Sequence, residues 1–378
     1  MSIAVDLNTR ILPSSHGVFM VRPGKNYHLY KSAKDFHVVA PDVPLLDIPN
    51  GERPIDQDNL DLQVRRGRAF RSWAESEETR SEPLPETDLN QYTNVENLPH
   101  HNRFVNVVEE ILWGLPEGSL SFIPDFSLAS AAVFGELVGP KDSRQKITGG
   151  GRFSNFLYQG RKLRDVKPIP MRELPPTALL SKKKNTTIVQ IEGRDRQILY
   201  RQYYGDFEIL GQKSTVQIAT TKPRFTGPDA AIIGALATMV QEAWQRRAHG
   251  ESSVPRLGEA AFLDLGDDAP AIHANINSPG EVLLEAVQRT PHVVKVIIAL
   301  ALALTGPELY ELAQSGAIDI VNTAHAAGVS SQETEETREF LFHFLNSAGA
   351  DSVNEIVENI RVMNNRTGGN VDANIVTD

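Results

Sequence analysis

STVQIATTKPRFTGPDAAIIGALATMVQEAWQRRAHG, residues 214–250, changes its period partway along. Up to Thr221, Val216 and Ile218 alternate with Thr215 and Gln217, the pattern of a strand with one buried face. Beyond Thr226, the apolar residues Ile232, Ile233, Leu236, Met239, Val240 and Trp244 recur at the spacing of one helix face. Thr226 is placed to cap the first turn, Pro228 falls where a missing N–H costs nothing, and Gly250 stands just past the end. This stretch predicts a strand followed by a long helix. The fold class it implies is α+β, with a β-rich part before about residue 221 and an α-rich part after it.

Upstream, GVFMVRPG (17–24) and FHVVAPDVPLLDI (36–48) read as short strands bounded by turn residues. SLSFIPDF (119–126), AAVFGELVGP (131–140), TTIVQIEG (186–193), RQILYRQYY (196–204) and DFEIL (206–210) continue the series, and NRFVNVVEEILWGLP (102–116) has the helical period. KPIPMRELPP (167–176) carries too many prolines for a central strand. Dense strands with short turns predict a small β-barrel-like domain over residues 1–221. Its polar segment near 49–98 reads as a loop or linker, in which VRRGRAFRSWAES (64–76) reads as a short amphipathic helix.

Downstream, residues 222–365 read as an α-rich α+β domain and 366–378 as a flexible tail. TGPELYELAQSGA (305–317) repeats the helix opening seen at Thr226, and Ser278 with Glu281 and Ser352 with Glu355 fit capping boxes. AAFLDL (260–265) and AIHANIN (271–277) read as strands, and the apolar run 293–304 as a buried helix.

The 378 residues include no Cys, which excludes disulfides, zinc-thiolate centres, iron–sulfur clusters and thiol nucleophiles. The first residues lack a basic segment followed by a long apolar one, and the run 293–304 falls short of the roughly 20 residues a membrane helix needs. The expectation is a cytoplasmic protein without membrane contact. No catalytic motif is found, so a non-catalytic role without a cofactor is expected. The net charge is −10, yet residues 141–201 carry 15 basic and 5 acidic side chains, a net of +10 between flanks of −8 and −12.

That basic band opens with GGGRFSNFLYQGRKLRDVKPIPMRELPP (149–176). The glycines lack the Lys-Ser/Thr pair of a phosphate loop. Cations interleaved with rings suit phosphates and stacked bases instead, so Arg144, Lys146, Arg152, Phe156, Tyr158, Arg161, Lys162 and Arg164, extended by Lys182, Lys183 and Lys184, are the predicted nucleic-acid interface. DNA is favoured over RNA, with self-association into a homo-oligomer and a protein partner in a multi-component system. In an alternative, Phe153, Phe156 and Tyr158 belong to the core and the band docks on acidic surfaces of neighbouring subunits of an assembly. In another, Asp264, Asp267 and Asp268 hold Mg²⁺ for a phosphodiesterase, although Asp near Gly is also ordinary turn chemistry. His100-His101 is the only adjacent histidine pair and has no further zinc ligands at local spacing.

The VRPG strand end (21–24), the following Tyr27, Tyr30 and Phe36, then a helix, FIPDF (122–126), FGELVGP (134–140) and RDVKPIPMRELPP (164–176) resemble the PUA/EVE-like small barrels. These stand in front of Mrr-type restriction endonucleases and in other prokaryotic defence proteins. The resemblance covers about residues 17–180 and implies a barrel that reads modified bases or RNA, in a defence or genome-maintenance setting. This chain has Glu117-Gly118-Ser119 where the family usually has Gly-Asp, and Pro168 in place of the usual Trp. No cage residue is carried over, and no nuclease motif follows.

Overall fold

The computed structural model describes residues 2–51, 56–75, 77–94, 99–181, 186–210, 213–222, 225–275, 280–287, 289–324 and 331–377. The fold is α+β, as the change of period at Thr226 implies. The chain divides into two compact units, but not near residue 222. One unit is Ser15–Tyr203; the other takes the chain up to Ser14 and again from Tyr204. The strands 206–210 and 214–221, expected in the N-terminal domain, belong to the second of these, the outer unit.

The outer unit begins with β1 (Ile3–Asp6) and β2 (Arg10–Leu12). The inserted unit then runs β3 (Val18–Val21), α1 (Tyr30–Phe36), β4 (Val38–Val39), α2 (Gln57–Glu75), α3 (Glu77–Arg80), α4 (His101–Glu109), β5 (Leu120–Ile123), β6 (Ala131–Leu137), β7 (Arg144–Thr148), β8 (Leu157–Pro170), α5 (Pro176–Ser181), β9 (Ile188–Ile191) and α6 (Gly193–Tyr204). Its strands form an open half-barrel in the order β4-β8-β6-β5-β3-β9, with β7 also on β8. β3 lies parallel to β5 and antiparallel to β9.

Three expectations for this unit change. The helix expected at 64–76 is present but longer: α2 spans 19 residues of the supposed loop and buries Leu60, Val64, Gly67, Phe70 and Ala74. RQILYRQYY is helical: Leu199, Tyr200 and Tyr203 are buried at spacing i, i+1, i+4, which outweighs its β-favouring rings. The prolines at 168 and 170 do lie in a strand, β8, paired to β6 through Val133 and Ala131. There the odd positions donate to β6, as Met171 N–H does to the Ser130 carbonyl at 2.9 Å. The even positions therefore face away from β6, where proline forfeits no ladder bond.

The chain returns to the outer unit with β10 (Phe207–Ile209), β11 (Lys213–Thr220), α7 (Gly227–Ala248), α8 (Leu257–Ala260), β12 (Ala271–Asn275), β13 (Gly280–Val287), α9 (Thr290–Ala303), α10 (Gly306–Ser315), β14 (Ile318–Val321), α11 (Ser331–Thr367), β15 (Gly369–Val371) and β16 (Asn374–Thr377). One sheet has the order β14-β1-β16; the other is β12-β13-β11-β10-β2, with β15 also on β11. α7 and α10 open as their sequences predict, with capping boxes at Thr226/Asp229 and Thr305/Glu308.

Four expectations change here too. Val282, Leu284 and Ala286 alternate into the core, so the segment after Ser278 is strand β13 rather than a capped helix; Ser278 itself lies outside the described residues. AAFLDL ends α8 and turns, with Phe262 exposed. The restart at 352 belongs to α11, whose helical path breaks at Gly349 with φ 78°. The supposed tail forms β15 on β11 and β16 on β1.

α9 is buried from Thr290 to Ala301, as a predominantly apolar helix must be. Its two buried titratable side chains, Lys295 and His292, have partners: Lys295 reaches Asp206 and the Leu7 carbonyl, and His292 lies 2.8 Å from Glu208. Burial pushes the Asp206 carboxyl up against the pull of Lys295. The chain's departure and return are each fixed locally. In the outer unit β2 pairs parallel with β10. In the inserted unit His16 Nδ1 lies 2.8 Å from the hydroxyl of Tyr200, which also donates to the His16 carbonyl.

Candidate anion-binding site

The predicted band does not form one surface. Phe156 joins Phe70 and Trp73 in the core, and Tyr158 and Arg161 are 0% exposed. Arg161 donates to the Val138 and Leu115 carbonyls, and burial brings its guanidinium down to about 10. Arg144 donates to the Leu112 carbonyl, sits over the Trp113 ring, and is likewise lowered to about 10, first by burial and then by Arg161. Lys146 pairs with Asp47 at 2.7 Å, Arg164 with Glu136 at 2.9 Å, and Arg152 donates to the Glu75 carbonyl. Lys162 is exposed, whereas Lys182, Lys183 and Lys184 lie outside the described residues. A stacking platform needs open rings, and packing against α2 closes these.

The cations that do converge come from elsewhere in the inserted unit. The turn after β3, the middle of α2 and the start of α4 enclose a cleft of about 280 Å³ lined by Arg22, Lys25, Arg71, Arg103, His100 and Asp42. Four cationic side chains meet two carboxylates, Asp42 in the lining and Glu75 paired to Lys25 and Arg71 at the rim, a surplus of two positive charges. Arg103 is exposed, and its side chain has no partner among the described residues.

Asp42 organises the cleft. It accepts from the Lys25 N–H at 2.8 Å and from His28 Nε2 at 2.8 Å, and pairs with Arg71 at 3.1 Å. Burial on its own would raise this carboxyl; the hydrogen bond from His28, with the charge of Arg71 and the Lys25 N–H, holds it below the usual carboxylate range. Glu75 ties Lys25 and Arg71 together from the rim, at 3.0 and 3.2 Å. Behind Asp42, His28 stacks on Phe153 and tilts against Tyr158. Those rings of the predicted band thus support the cleft from inside the core.

The backbone here is held in costly conformations. Asn26 and Tyr27 are consecutive non-glycine residues at φ 56° and 58°, following Gly24 at 74°, and His100 has φ 63°. Left-handed non-glycine residues are uncommon, persist only where their surroundings hold them, and gather at ligand sites. On the helix side, Arg68 and Arg71 sit 4.5 and 5.3 Å from the centre of the Phe104 ring. Burial, and then the neighbouring Arg71, hold the Arg68 guanidinium below the usual arginine range. A bound anion would relieve such crowding.

At the mouth, Arg22 lies over the Tyr27 ring at 5.9 Å, and Tyr27 meets Phe126 edge-on at 5.9 Å. Phe126 is 76% exposed. An open ring is thus linked to the cationic cleft through Tyr27 and Arg22. The Pro23-Gly24 turn between Arg22 and Lys25 was the local sign of this site, but its meeting with Arg103 depends on the fold.

In the outer unit Asp264 accepts from the Gly266 N–H at 3.0 Å, which is turn chemistry, and Asp268 from Gln245 at 3.2 Å. Among the described residues no three His, Asp or Glu side chains converge as metal ligands, and no helix is long and apolar enough to cross a membrane. No protein-family model, curated protein or solved structure matches the chain.

Proposed function

We propose that the inserted unit is a module for single-stranded nucleic acid, DNA in the first instance, that seats a backbone phosphate in the cleft and stacks a base on Phe126. The observation that carries this reading is the cleft itself: four cations against two carboxylates, on a strained turn, with an exposed ring packed on the Tyr27 of that turn. Arg22, Lys25 and Arg103 supply charge to the phosphate, while Asp42 fixes Arg71 and the backbone at Lys25, and Glu75 holds the Lys25 ammonium, so that little ordering remains for binding to accomplish. The PUA/EVE-like pattern over about residues 17–180 is in keeping with a nucleic-acid role in a prokaryotic defence or genome-maintenance system. The acidic chain as a whole does not oppose this, because a focused local potential, rather than net charge, governs capture of an anion.

Fluorescence anisotropy of a labelled single-stranded oligonucleotide tests the reading. Two surplus charges predict a slope of about −1.4 in log affinity against log salt for a single strand. Arg103→Glu should flatten that slope by about one phosphate, and Phe126→Ala should weaken binding by about 1–3 kcal/mol. Affinity unchanged in both variants would remove the cleft from the function.

A further inference from the structure

Another face of α2 borders a second cleft, of about 260 Å³, whose walls are Trp73, Tyr92, Pro83, Pro85, Ala69 and His101. Its chemistry differs from that of the anion site. The polar tips of both rings are already bonded: Trp73 Nε1 donates to the Glu82 carbonyl at 3.1 Å, and the Tyr92 hydroxyl to Glu86 at 2.7 Å. The arginine of the lining is partnered too: Asp61 pairs with Arg65 at 2.7 Å and lies 2.5 Å from His101 Nε2. What the walls leave unanswered is one atom. His101 is 3% exposed, and its Nδ1 is buried without a hydrogen-bond partner among the described residues. Buried polar atoms are nearly always satisfied, and a cleft beside the exception is where a ligand would satisfy it.

We infer that this cleft binds a small, neutral, planar ring compound that presents one N–H or O–H donor. The ring lies among Trp73, Tyr92 and the two prolines. In the tautomer that donates its Nε2 proton to Asp61, Nδ1 keeps its lone pair and accepts from the ligand. An anionic ligand would find the one arginine of the lining, Arg65, already paired with Asp61. The left-handed turn at His100 sends consecutive histidines to different sites, His100 to the anion cleft and His101 to this one.

Indole and 1-methylindole, which share the ring and differ in the N–H, are the probes. Isothermal titration of the full chain at mildly alkaline pH should show indole binding at least tenfold more tightly than 1-methylindole. Indole should shift the ¹⁵Nδ1 resonance of His101 toward that of a hydrogen-bonded acceptor. Ala69→Phe, which fills the cleft, should abolish indole binding while Arg103→Glu leaves it intact, so this site and the anion site fail separately. Should Ala69→Phe not fold, the ratio of the two probes on the unaltered chain decides. Equal affinity for both probes, no indole binding up to its solubility limit, or undiminished binding by a folded Ala69→Phe variant would overturn the inference.

Discussion

Asp42 is the residue on which the cationic cleft depends, and its titration makes that dependence measurable. Because its partners hold the folded-state carboxyl below the ordinary value of 3.8, the carboxylate adds stability at every pH above that value. The contribution is lost as pH falls through the lower, folded-state value. Asp42→Asn should therefore remove about 3 kcal/mol near neutral pH, the cost of leaving buried partners uncompensated. Urea unfolding should show this together with a shallower loss of stability in acid. A variant as stable as the parent chain, with the same acid limb, would contradict the role of Asp42. None of this was legible locally, since Asp42 lies in a plain strand-and-turn segment and its partners come from α2 and the turn after β3. Arg161 misled for the converse reason. In sequence it stands among exposed cations, and only the fold brings the Val138 and Leu115 carbonyls to it.

At the level of elements, legibility followed the number of agreeing local signals. α7, α9 and α10 combine periodicity with caps or with unbroken apolar character, and all three stand where the sequence put them. α6 and β13 each carried one strong false signal, β-favouring rings in the first and a capping-box spacing in the second, and burial settled both. Only residues 64–76 of the α2 region read as helix in the sequence; its first two turns, 57–63, read there as loop, and the legible part carries all four of its arginines. Each is satisfied within the fold: Arg65 by Asp61, Arg66 by the Leu45 and Thr87 carbonyls, Arg68 by Pro99, and Arg71 by Asp42 and Glu75. Gly67 tests whether α2 packs as described. Helix propensity alone favours alanine there by about 1 kcal/mol. A Cβ, however, would lie 2.5 Å from both the Pro44 carbonyl oxygen and Val43 Cγ1, and such overpacking costs about 1–3 kcal/mol. Gly67→Ala should accordingly lower the melting temperature; a rise would mean that α2 does not approach Val43-Pro44 this closely.

For the molecule as a whole, the sequence showed the α+β class but not the interruption. The outer unit's first strand pairs with residues 318–321 and 374–377, and such long-range pairing leaves no mark in a short N-terminal segment. A boundary near 222 was therefore natural, because the period changes there, although that change occurs inside one unit. The inserted unit replaces the connection that parallel β2 and β10 require. It carries the cationic cleft within a chain of net charge −10, so location of charge is the central claim. It is tested most directly by comparing two double variants for single-stranded DNA affinity at one moderate salt concentration. Arg22→Glu with Arg103→Glu alters the cleft, and Arg152→Glu with Lys162→Glu alters exposed cations of the basic band by the same total charge. The cleft at work predicts at least a tenfold loss in the first variant and less than about a threefold change in the second. Equal losses in both, or a larger loss in the second, would contradict it.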